Sequence, residues 1–280
     1  MLNVYSSEIH NNLKLLNRRA EKSTKSEDGD IVDCVDIYIQ PAFDHPALQN
    51  HKIQVVGALT TEGELRATSL ERFGKKNPAP ISYSTNDDKG TVYINQTTVE
   101  LGPQINCSAA ILVTTGYSYI GAQGDINIWN PKVESPDEYT TAQIWLKNGP
   151  GNAFKPKVPV LNLFLWSGGL VVSYKSTGCF DLTCSGFVQT NKDIALGIPL
   201  GPVSSEGGPQ YQTTFSINKD QNTGNWWLRL GQNVPVGYWP PSLFSYLKQG
   251  PATLVEWGRE VYSSKVKETR PHTGHTETGM

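Results

Sequence analysis

From residue 91 onward the sequence breaks into short runs rich in β-branched and aromatic residues, each closed by a turn signal. The runs cover 91–94, 109–114, 125–129, 141–147, 158–166, 170–174, 186–190, 212–217, 225–230, 235–238 and 253–261. Asn148-Gly149, Lys219-Asp220 and Asn222-Thr223-Gly224 are among the turns that separate them. Such runs are too short for helices and too regularly interrupted for parallel βαβ units. About ten short strands over roughly 190 residues predict an all-β, antiparallel two-sheet β-sandwich of the jelly-roll or lectin-like kind. The supply of 26 glycines, 18 prolines, 12 tyrosines and 7 tryptophans agrees with a turn-rich β fold.

The first eighty residues have a different texture. Ile9, Leu13, Leu15 and Leu16 recur among polar residues over 6–22, which predicts a short amphipathic helix, and 22–30 is polar. Residues 33–46 read as an extended segment ending in turns fixed by Pro41 and Pro46. Residues 65–73 predict one or two helical turns, and 240–249 another. The stretch 74–80, with Lys75, Lys76, Pro78 and Pro80, is the best linker in the chain. The chain therefore divides into a leader, 1–80, and a main body, 81–280, whose polar end supplies no closing strand.

Composition excludes several function classes. A net charge of −2 gives no basic excess for nucleic acid. The five histidines are His10, His45, His51, His272 and His275. None lies between 52 and 271, which excludes a serine or cysteine enzyme with its base in the middle of the chain, and a histidine-rich zinc centre there. No metal or other cofactor is expected. Cys179 and Cys184 bracket a tight loop and are expected to form a disulfide, while Cys34 and Cys107 have no evident partner. The sequons at Asn95 and Asn106 add to a secreted appearance, although the first residues show no signal peptide. The stretch 158–172 is too short and interrupted to span a bilayer.

Longer motifs carry a resemblance. The stretch from Asp33-Cys34-Val35-Asp36 through His51-Lys52-Ile53-Gln54 resembles the activation-peptide signature of the plant neprosin family. Residues 121–131, 138–145, 177–190, 224–227, 237–240 and 255–261 are similar to its catalytic region. The resemblance implies a secreted glutamic endopeptidase that cuts after proline, an N-terminal inhibitory propeptide, and two catalytic glutamates on a concave sheet. These fall on Glu138 and Glu260. The chain departs from the family pattern between Gln54 and Leu65, over 152–172, at Arg259 (where the family has glycine), and past Met280, where the family continues with further strands.

The chemistry so implied needs two carboxyls sharing one water, one ionised to take its proton and one protonated to assist the leaving group. Such a pair titrates as a unit and works in acid. Period-2 alternation puts Glu256, Gly258 and Glu260 on one strand face, so Glu256 is a local rival to Glu260. Gln143 is a candidate amide donor to developing charge, Trp145 and Trp257 are candidate walls for a proline ring, and Gly258 leaves room for substrate or marks a bulge. The expected partners are a proline-containing peptide and the chain's own leader. The leader is expected to lie along the cleft, covering the dyad, and to loosen in acid through Asp33, Asp36 and Asp44. The competing reading is a degenerate, non-catalytic β-sandwich that binds carbohydrate or peptide.

Overall fold

The computed structural model describes residues 20–25, 31–54, 91–95, 107–131, 139–149, 157–161, 164–165, 185–194, 200–231 and 233–262. Within 91–95, 107–109, 139, 157–161, 164–165 and 260–262 it describes the backbone. The predicted helices at 6–22 and 65–73 and the strand at 170–174 lie largely or wholly outside these residues.

Thirteen strands are described in chain order: β1 (Lys22–Lys25), β2 (Ile31–Asp36), β3 (Thr91–Asn95), β4 (Cys107–Tyr119), β5 (Gly121–Asn127), β6 (Tyr139–Lys147), β7 (Lys157–Leu161), β8 (Phe164–Leu165), β9 (Val188–Gln189), β10 (Gln212–Lys219), β11 (Trp226–Leu230), β12 (Val234–Trp239) and β13 (Ala252–Tyr262). They form two five-stranded sheets, β5-β10-β11-β12-β9 and β4-β13-β6-β7-β8, and a three-stranded sheet β1-β2-β3. Every described pairing is antiparallel. The fold is all-β, as the train of short runs predicts. The expected helical turn near 240 is a 3-10 turn at Pro241–Leu243.

The run at 91–94 joins neither five-stranded sheet. It pairs with β2 in the leader's sheet, Val35 standing opposite Val92 and Cys34 opposite Tyr93. Alternation in β2 does not leave a wet face: Val32, Asp33, Cys34 and Val35 are all buried. Cys34 carries a free, buried thiol.

The two large sheets meet through one apolar layer. A Cβ placed on Gly124 of β5 would meet Trp257 of β13 at 3.1 Å and Ile144 of β6 at 3.7 Å, so these residues face one another across the sandwich. Gly124 pairs with Phe215, and Ile217 pairs with Leu228. Alternation therefore aims Phe215, Ile217, Leu228 and Trp226 inward, all of them fully buried. The opposite side of that sheet carries Trp227 and Tyr238, which are direct cross-strand partners with ring centroids 4.6 Å apart. Both rings are buried, and His51 and Gln54 of the leader meet Tyr238 there, whereas Gln123 and Asp125 at the β5 end of the same side are exposed.

The leader runs over that outer side in two 3-10 turns, Pro41–Asp44 and Pro46–Leu48. Proline opens both, supplying a fixed φ where no N–H is needed. Val35, Ala42 and Leu48 join the same hydrophobic cluster as Phe187, Val188, Val236 and Tyr238. Burying a leucine such as Leu48 contributes on the order of 1.5–3 kcal/mol. The leader is thus bound by shared core as well as by polar contacts.

Candidate active site

The candidate site is built on β13 and its two neighbours. In register, Glu256 stands opposite Trp145 of β6 and Val113 of β4, Gly258 opposite Gln143 and Ile111, and Glu260 opposite Thr141 and Ala109. Strand alternation then separates two faces. Val255 and Trp257, with Ile144 and Leu146, point into the sandwich. Positions 256, 258 and 260 of β13 share the outer face with positions 141, 143, 145 and 147 of β6.

Of the residues singled out from sequence, Gln143, Trp145 and Gly258 thus lie on the face to which register assigns Glu260. Trp257 does not. Its indole Nε1 donates to the Gln123 carbonyl of β5 at 2.9 Å, across the sandwich. The odd-numbered step of the strand turns it inward, so it is a packing residue between the sheets. Glu138, Cys179, Cys184 and Asn106 lie outside the described residues. Asn95 ends β3, opposite Val32.

Along β6 the outer face is buried, while Ile111 and Val113 of β4 on the same face are exposed. Gln143 is 2% exposed and Trp145 1% exposed. The Gln143 amide Nε2 donates to the Thr141 hydroxyl, which stands across from Glu260 in register. Gly258 has a backbone reason for being glycine: a Cβ there would collide with the Ala110 carbonyl oxygen and lie 3.0 Å from Ile111 Cα. The close approach of β4 therefore accounts for this glycine without invoking substrate.

Sequence reasoning set Glu256 beside Glu260 as a rival acid and missed its partner. Lys147 reaches across from the end of β6 and forms an ion pair with Glu256, both side chains over nine-tenths buried. Two carboxylates occur in the whole β4-β13-β6-β7-β8 sheet, Glu256 and Glu260. Glu256 is tied to a cation, and the backbone of Glu260 lies two residues further along the same strand. The signal that could have found Lys147 was its odd position on β6, in step with Gln143 and Trp145.

The leader's described contacts lie elsewhere. Gln40 joins the edge strand β9, donating to the Gln189 carbonyl at 3.1 Å and accepting from the Gln189 N–H at 2.7 Å. His51 and Gln54 meet Tyr238 of β12, and Gln54 also reaches Asp220 in the β10–β11 turn. All of these lie on the sheet opposite β13. Residues 31–54 of the leader thus dock on the far side of the sandwich from the candidate face, not along it. Asp33 accepts from Ser23 within the leader's own sheet, and Asp36 accepts from the Tyr38 N–H of its own turn.

Comparison with known proteins bears on what this architecture is. The family model described as Neprosin matches residues 136–279, and the model described as Neprosin activation peptide matches residues 23–101. The second match takes in β3 together with β1 and β2, the strands that form one sheet. A crystal structure of Scytalido-glutamic peptidase with a peptide-based transition state analog is similar at 15% identity and a TM-score of 0.28. That match covers 58% of this chain and 66% of that one, just under two thirds of its length. With a family match over more than half of its residues, and the activation peptide folded against the sandwich, the chain belongs to the Neprosin family.

Proposed function

We propose that this protein is a secreted glutamic endopeptidase, made as a leader-docked zymogen, that hydrolyses peptide bonds after proline in acid. Family membership with an activation peptide supports the peptidase class and the zymogen form. The observation that carries the reading to residues is the register of β13 against β6, which sets Glu260 opposite Thr141 and beside the Gln143 amide. In this reading Glu260 and Glu138 share the attacking water. One takes its proton while the other protonates the leaving nitrogen. The Gln143 amide, held through Thr141, helps to order the polar groups around that water. Trp145 forms apolar floor beneath the substrate. The ring of proline packs well on aromatic faces, which suits this floor.

One observation favours a second reading, a non-catalytic sandwich that binds peptide. The Lys147–Glu256 pair removes a nearby carboxylate from service, so the dyad depends wholly on Glu138. The two readings separate in one experiment. A proline-containing peptide is incubated at pH 3–6 with the chain and with its Glu260→Gln and Glu138→Gln variants. Cleavage after proline by the parent, lost in both variants, supports the glutamic mechanism. Cleavage that survives in either variant removes that residue from the dyad. Binding without cleavage by the parent establishes the second reading.

A further inference from the structure

Leader and sandwich meet at a phenol whose hydrogen bonds can be satisfied in one protonation state of its neighbour. Tyr238 is fully buried. Its hydroxyl oxygen accepts the Gln54 backbone N–H at 2.7 Å and lies 2.8 Å from Nε2 of His51. An amide hydrogen is fixed in direction, so one lone pair of the phenol is committed to Gln54. The phenol's own proton is then free to point at His51. That bond requires an unprotonated Nε2, hence a neutral ring with its hydrogen on Nδ1. In an imidazolium, Nε2–H also aims at the same oxygen. Two donors then converge on Tyr238, and its buried proton loses its acceptor.

We propose that the His51–Tyr238 contact is a proton-operated latch that holds the leader on the sandwich and opens when His51 takes up a proton. The idea rests on the zymogen reading for its purpose, but not for its physics. A second group acts in the same sense. His45 caps the turn Pro46–Leu48 by accepting the Ala47 N–H on Nδ1 at 3.2 Å, and a protonated Nδ1 cannot accept. In this arrangement both histidines of the described leader, His45 and His51, act as acceptors.

Titratable groups stand around the latch on several elements. From β12 the facing group is Tyr238 itself, whose pKa burial pushes up although the Gln54 N–H opposes this. From the β10–β11 turn comes Asp220, whose carboxylate is occupied by Gln54, Thr223 and the Asn222 N–H. Lys219 beside it is turned to the carbonyls of Leu247 and Gly250. In the leader, Lys52 adjoins His51, and Asp44 and His45 flank the preceding turn. The edge strand β9 and the turn Pro241–Leu243 bring no ionisable side chain. Burial holds both His51 and His45 below the ordinary histidine value of 6.5.

The sign follows from linkage. The docked leader binds fewer protons at these rings than the free leader does. Docking is at full strength above pH 6.5, the value for a free ring, and weakens as pH falls below it. The weakening stops once the docked rings have titrated as well.

The test reads docking, not hydrolysis, so it stands even if the peptidase reading fails. Amide hydrogen exchange of residues 40–54 is followed in the intact full-length chain from pH 7.5 to pH 4.5, corrected for the intrinsic pH dependence of exchange. Protection in the parent should be lost progressively below pH 6.5. His51→Gln offers a carbonyl oxygen where Nε2 stood and cannot titrate, so it should keep protection to lower pH. If it loses protection at the same pH as the parent, the latch is wrong. If it fails to dock even at pH 7.5, Tyr238→Phe decides. An unchanged pH midpoint in that variant overturns the proposal, and a flattened profile supports it.

Discussion

The side chain of Gln40 behaves toward Gln189 as one more peptide unit at the edge of a sheet, donating to its carbonyl and accepting from its N–H. Gln40 is itself 2% exposed and gives a further hydrogen bond to the Ile37 carbonyl at 2.8 Å. An edge strand normally presents unpaired backbone groups. Here a carboxamide from the leader satisfies them, so the sandwich edge is completed by a segment that lies far from it in sequence.

Replacing this group should cost folding free energy without changing the fold. Gln40→Leu keeps most of the volume but strands a buried N–H and a buried carbonyl. The expected loss is about 1–3 kcal/mol. Urea denaturation of the full chain reads it, and an unchanged midpoint would mean that water replaces the carboxamide freely.

The Lys147–Glu256 pair gives a sharper test, because removing one partner differs from removing both. Lys147→Met leaves a buried carboxylate without its cation, at a cost of about 3–5 kcal/mol. Lys147→Met with Glu256→Leu should recover most of that loss, since an apolar pair of similar size fills the same space. If the double variant is as unstable as the single one, the pair serves shape and not charge compensation.

Asp220 predicts a pH effect of opposite sense to the histidine latch. Burial pushes its carboxyl up, but hydrogen bonds from the Gln54 and Thr223 side chains and from the Asn222 and Thr223 N–H groups outweigh it and hold the pKa below 3.8. A depressed carboxyl stabilises the folded chain at pH above 3.8, and that stability is lost as pH falls through the depressed folded value. Asp220→Asn should therefore melt at a lower temperature than the parent at pH 6, and the gap should narrow as pH drops below the unperturbed value. A gap that stays constant down to pH 2.5 would show that the carboxylate form is not what the turn needs.

Much of the architecture was legible because it is local. Period-2 runs and Asn/Gly turns announce strands one at a time, so β6, β10, β11, β12 and β13 fall where the runs predict. Sheet order was not legible. β13 sits between β4 and β6, partners more than a hundred residues upstream, and no local pattern encodes that choice. Alternation did encode that Glu256, Gly258 and Glu260 share a side, and it already set Trp257 against them. The leader's docking was the least legible part. Gln40, His51 and Gln54 are ordinary polar residues in sequence, and their roles exist once the far strands bring Gln189, Tyr238, Asp220 and Asn225 to meet them.

Val35, Ala42 and Leu48 sit in the same apolar cluster as Val236 and Tyr238, which has a consequence for how such a precursor matures. Cutting the polypeptide between leader and body changes connectivity but removes none of these apolar contacts. The nicked product is then a two-fragment complex whose pieces remain associated until something weakens the surface they share. Scission and departure become separate events with separate kinetics. A gel run in denaturant after nicking would show two bands, while the same sample in native buffer would elute as one species. Maturation by this route is finished by dissociation, and the Tyr238 hydroxyl loses its leader partners at that moment.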